Sequence, residues 1–144
     1  LYQYAASAYL NGEDPATINF EHPPLAKYVY GAFLRTTGWI LLTNLVFLFG
    51  CLVLTAKLLT HFKVKLMFQI ASLIYLALFS GMSHHLTTSL LDLQTLFWSL
   101  AFFVVLFETT ESWFKYLKFG LVLGAFIATK YSLMTSKVSC GNQF

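Results

Sequence analysis

"TTGWILLTNLVFLFGCLVLTA", residues 36–56, contains no Asp, Glu, Lys or Arg. Twenty-one residues wound as an α-helix reach about 32 Å, enough to cross a hydrocarbon core of about 30 Å. A second run, residues 66–91, is uncharged for twenty-six residues. Composition points the same way. The chain is 58% hydrophobic and 10% charged, against about 25% charged in a soluble domain. A soluble fold of 144 residues has too little interior to hide that much apolar surface. The fold expected is therefore all-α: a polytopic transmembrane helical bundle with lipid as its solvent.

Working outward, four spans are expected, at about Trp39–Leu59, Leu66–Ser83, Leu90–Phe107 and Phe119–Met134. "THFKVK" (60–65) and "TTESWFKYLK" (109–118) serve as links. Gly120 and Gly124, four apart, suit close helix packing. Residues 1–37 read as an outer loop with two short helices, Tyr2–Leu10 and Leu25–Thr37. The turn signals Asn11-Gly12 and Asp14-Pro15 separate them, and Pro23-Pro24 can open the second helix but could not sit inside it. Residues 38–134 form the bundle and 135–144 a polar tail. The chain starts at Leu1 with no leader pattern and stops abruptly, so it is expected to be a piece of a longer protein.

Lysines set the expected orientation. Lys57, Lys63 and Lys65 cluster after the first span and Lys115 and Lys118 after the third, whereas residues 84–91 hold no Lys or Arg. The lysine-bearing links are expected to be cytoplasmic, with Glu13, Asp14, Glu21 and Asp92 on the other side. Lys130, about 16 Å along the fourth span, lies past mid-membrane. Glu21, His22, Asp92 and Lys130 thus converge on one outward face. Each has an ordinary alternative: Glu21 as a loop acid orientated by His22, Asp92 as a first-turn acid, Lys27 as an interfacial anchor, Lys130 as a snorkelling lysine. The net charge of +3 is small and its basic residues scattered, which argues against nucleic acid. The two cysteines, Cys51 and Cys140, lack metal-type spacing.

Three segments in order carry a family resemblance. "NGEDP" (11–15) with "NFEHPPLAKY" (19–28), "LLDLQTLFWSLAFF" (90–103) and "GLVLGAFIATKYSLM" (120–134) resemble GT-C membrane glycosyltransferases. The nearest groups are the dolichyl-phosphate-mannose protein mannosyltransferases and the aminoarabinose transferases of lipid A. The resemblance implies a partial GT-C bundle and inverting transfer of a hexose or pentose. The donor would be a polyprenyl-phosphate sugar and the acceptor an extracytoplasmic protein or lipid. It implies Glu21 and Asp92 as catalytic acids, Lys27 and Lys130 at the donor phosphate, and His22, His84 and His85 in support. No metal ligand is assigned, and a divalent metal is left open as a cofactor. The implied setting is the plasma membrane, or the endoplasmic reticulum in a eukaryote, with membrane lipid as a partner and no nucleic acid.

Two departures stand out. The family's Asp-Glu pair would fall before Leu1, and an arginine common five residues before the Asp92 position is Thr87 here. The chemistry itself fits the residue types. A carboxylate within reach can deprotonate the attacking hydroxyl or amine, and a cation stabilises the departing phosphate. The alternatives are a transporter or channel subunit, with Asp92 and Lys130 lining a solute path, and an inactive fragment of the transferase. Broken spans and internal repeats, the marks of a transporter, are not found in the sequence.

Overall fold

A computed structural model describes residues 2–14, 18, 24–79, 86, 92–109 and 112–129. Six helices are bounded among the described residues: α1 (Tyr2–Leu10), α2 (Leu25–Thr37), α3 (Ile40–His61), α4 (Leu66–Leu78), α5 (Asp92–Leu106) and α6 (Trp113–Thr129). No strand occurs among the described residues, so the described fold is all-α. The bounds of α1 and α2 are those the sequence predicts.

Helix α3 is 22 residues long, with a mean hydropathy of 2.0 over its most apolar 18 residues, long and apolar enough to cross a membrane; α4 and α5 are apolar but shorter. α3 begins after a sharp turn. The backbone N–H of Gly38 caps the Leu34 carbonyl at φ 73°, a left-handed conformation that glycine adopts without a Cβ penalty. At its far end, Gln69 of α4 donates 2.7 Å to the Val64 carbonyl. That bond braces the short link into α4.

The core lies between α3 and α5. Phe47, Leu48 and Cys51 of α3 meet Leu93 of α5, with Phe97 and Leu100 alongside. The rings of Phe47 and Phe97 meet edge-on with centroids 5.2 Å apart, a favoured aromatic geometry. Gly50 lets the helices approach. A Cβ there would come within 2.6 Å of the Phe97 ring. A smaller core joins Ala6 of α1 to Ala26 and Tyr30 of α2. By contrast α4 buries no residue, and Met67 and Leu78 are 78% and 77% exposed. So much uncovered apolar side chain suits a hydrocarbon surrounding better than water.

Two expectations change. Helix α6 begins at Trp113, six residues before Phe119, which places Lys115 and Lys118 on its first two turns instead of in a link. Lysine is a good helix former, so a boundary set by charge rather than by a helix breaker falls late. Gly120 and Gly124 do not mediate packing among the described residues: a Cβ at either would meet nothing within 4 Å. They are spaced like a packing motif, but both are exposed.

Candidate functional site

The buried face of α2 is Ala26, Lys27, Tyr30 and Gly31, one stripe at helical spacing. Helix α1 covers part of it with Ala5, Ala6, Ala8 and Tyr9, all buried. The small residues bring the backbones close. A Cβ on Gly31 would lie 2.7 Å from the Ala6 carbonyl oxygen and 2.9 Å from Leu10 Cγ.

Lys27 is fully buried. Its Nζ donates to Tyr9 Oη at 3.1 Å and stands 5.3 Å from the centre of the Tyr9 ring. Tyr9 Oη in turn donates to the Ile18 carbonyl at 2.6 Å. Burial pushes the Lys27 ammonium below its ordinary pKa. Tyr9 is pushed up, first by burial and then by Tyr28 and Asp14. Burial is the first cause of both shifts. A charge on either group is poorly solvated where α1 lies on α2. Lys27 therefore turns inward and does not project as an interfacial anchor.

One turn further along, Tyr30 is also fully buried. Its hydroxyl donates to Asn44 Oδ1 of α3 at 2.7 Å, and Asn44 Nδ2 donates to the Leu86 carbonyl at 2.9 Å. From α5, Gln94 Nε2 reaches the Ala26 carbonyl at 3.4 Å. Burial raises the Tyr30 pKa to about 12, a hydrogen bond from Gln94 works against that rise, and the Asp92 charge adds to it. Asp92, the first residue of α5, is half-buried and close enough for its carboxylate to disfavour a phenolate. Two buried oxygens, Thr43 Oγ1 and Gln94 Oε1, have no hydrogen-bond partner among the described residues. Unsatisfied buried polar atoms are uncommon in folded proteins.

The structure thus brings α2 and the start of α5 together near Lys27 and Asp92: Gln94, two residues after Asp92, reaches the carbonyl of Ala26, which precedes Lys27, and the Asp92 charge is felt at Tyr30. Glu21, His22, His84, His85, Thr87 and Lys130 lie outside the described residues. So does any approach of Glu21 to Asp92. Helix α6 packs against α2, and its last described residue, Thr129, is fully buried. Among the described residues no three His, Cys, Asp or Glu side chains gather as a metal site would require, so no chemical step is derived through a metal.

Reading by formal charge passes over Thr43, Asn44, Tyr30 and Gln94, which make up most of this cluster. A signal was present. Thr43-Asn44 and Gln94 interrupt apolar runs, and uncharged polar groups in such a run must also find partners. Comparison with protein-family models, curated proteins and solved structures finds no match to this chain.

Proposed function

We propose that the chain works in a membrane-embedded glycosyltransferase that moves a sugar from a polyprenyl-phosphate donor to an extracytoplasmic protein or lipid acceptor. Helices α3 to α6 are the spans of a GT-C-type bundle in this reading, and α1 and α2 lie at its outer end. The observation that carries it is the seating of α2, which places a fully buried lysine, Lys27, at the end of the bundle where Asp92 opens α5. An acid and a cation at one end of the bundle are what an anionic, lipid-anchored donor requires. The resemblance in sequence supplies the reaction class.

The reaction is a single displacement. The acceptor oxygen or nitrogen forms a bond to the anomeric carbon while the bond from that carbon to the phosphate oxygen breaks. The acceptor proton passes to a carboxylate, Asp92 or Glu21, and polyprenyl phosphate departs with the electron pair. Lys27 and Lys130 stabilise that departing anion. Lys27 would meet the phosphate by exchanging Tyr9 Oη for a phosphate oxygen, the stronger acceptor.

The test is sugar transfer from a labelled polyprenyl-phosphate donor by the full-length protein in membranes. The wild type transfers sugar, and Asp92→Asn loses about a hundredfold in turnover. Wild-type membranes that transfer nothing from any such donor, yet carry or conduct a solute, would establish the transporter reading instead.

A further inference from the structure

The opposite end of α3 holds a second concentration of charge. Lys57 is thirteen residues beyond Asn44, about 20 Å along the helix, so this place is separate from the cluster around Tyr30. A pocket of about 460 Å³ opens there, lined by Lys57, His61, Val104, Phe107, Glu108 and Lys118 among others. Lys57 and His61 lie one turn apart on α3 and present one face. Lys118 of α6 is gripped by both oxygens of Glu108, at 2.8 and 3.0 Å. That ion pair accounts for one cation and for the only acid of the lining among the described residues. Lys57 has no hydrogen bond or ion pair among the described residues. Among the described residues the pocket therefore carries an uncompensated positive charge.

Its other wall is apolar. The His61 ring stacks on Phe107 with centroids 5.8 Å apart and 24° between planes, and Phe62 packs edge-on against Phe107 at 5.1 Å. The imidazole is thereby held in one orientation beside Lys57. Cations on one side and hydrocarbon on the other suit an amphipathic anion.

We propose that this pocket binds the phosphate of an anionic membrane lipid, with Lys57 and His61 at the headgroup and the lipid's hydrocarbon along Val104 and Phe107. The proposal rests on the membrane-embedded reading above, though not on sugar transfer. Near an anionic membrane surface each lysine is worth roughly a fivefold change in affinity.

The experiment uses the full chain in phosphatidylcholine nanodiscs with a rising fraction of phosphatidic acid, and native mass spectrometry to count retained lipid. Wild type is expected to keep phosphatidic acid in preference to phosphatidylcholine. Lys57→Gln should weaken retention about fivefold, and Lys57→Arg should restore it to within about twofold. Added inorganic phosphate separates two supporting outcomes: competition means that the phosphate alone is recognised, and no competition means that the whole lipid is. Equal retention of both lipids by the wild type, or unchanged retention in Lys57→Gln whose helical circular dichroism is intact, overturns the proposal. A chain that does not enter nanodiscs at all defeats the membrane reading. A chain that enters them and ignores lipid charge defeats the pocket alone.

Discussion

Tyr30 and Asn44 join α2 to α3 through a buried hydrogen bond of 2.7 Å. Asn44 then spends its amide on the Leu86 carbonyl. A polar side chain that interrupts the longest apolar helix is thereby satisfied on both sides. It also fixes where α2 sits, and so where Lys27 points.

Removing the Tyr30 hydroxyl leaves Asn44 Oδ1 buried without its donor. Tyr30→Phe is expected to cost about 1–3 kcal/mol, read as lower resistance to denaturant in detergent micelles. Tyr30→Phe with Asn44→Ala should be less damaging than the sum of the two single changes by about 1 kcal/mol. Strict additivity would show that the bond does not couple the helices.

The Tyr30 hydroxyl should also ionise late. Its pKa is raised from 10.0 to about 12, chiefly by burial. A folded pKa above the unfolded one gives stability that is full below pH 10 and is lost as pH rises towards 12. Two units correspond to about 3 kcal/mol. In the phenolate absorbance band, the difference between wild type and Tyr30→Phe should titrate near pH 12. A difference that titrates near pH 10 would mean the ring is open to water. Lys27 works in the opposite sense, because its pKa is lowered by burial. Its penalty is full below the lowered value and is relieved as pH climbs from there towards 10.5.

Glycines separate a close contact from a mere spacing. Gly31→Ala drives a methyl group towards the Ala6 carbonyl oxygen and Leu10 and should cost about 1–3 kcal/mol. Helix α1 should then become sensitive to protease while α3 stays protected. Gly120→Ala, with nothing within 4 Å of the new methyl, should be neutral or stabilising by up to about 1 kcal/mol. Equal effects of the two changes would contradict the packing of α1 on α2.

Much of this arrangement was legible in the residues. Pro23-Pro24 and Gly38 punctuate α2, so its bounds could be read directly, and an uncharged run marked α3. Helix α6 was harder because Ser112 to Lys118 contains no breaker, and charge alone does not end a helix. The candidate site was legible only in its charges. Lys27 and Asp92 stand out in any apolar chain, but that Lys27 faces inward depends on the alanines of α1 meeting Gly31, a contact between two segments that local pattern does not reveal. Asn44 and Gln94 gain their meaning only when α3 and α5 lie side by side.

The role of Lys27 can be separated from its burial. A buried ammonium replaced by an apolar side chain of similar length is often tolerated or even stabilising, so Lys27→Met is expected to keep the fold. If Lys27 serves only to tie α2 to Tyr9, then Lys27→Met and Tyr9→Phe should transfer sugar alike, since each removes the same 3.1 Å bond. If Lys27 meets the donor phosphate, the two should diverge. Lys27→Met should then lose about a hundredfold in turnover, about 3 kcal/mol of transition-state stabilisation. Tyr9→Phe, which keeps the ring under the ammonium but removes its hydroxyl, should stay within about tenfold of wild type. The measurement is turnover with a labelled polyprenyl-phosphate donor in membranes, normalised to folded protein. Wild-type turnover in Lys27→Met would remove Lys27 from the phosphate and leave Lys130 to carry that charge.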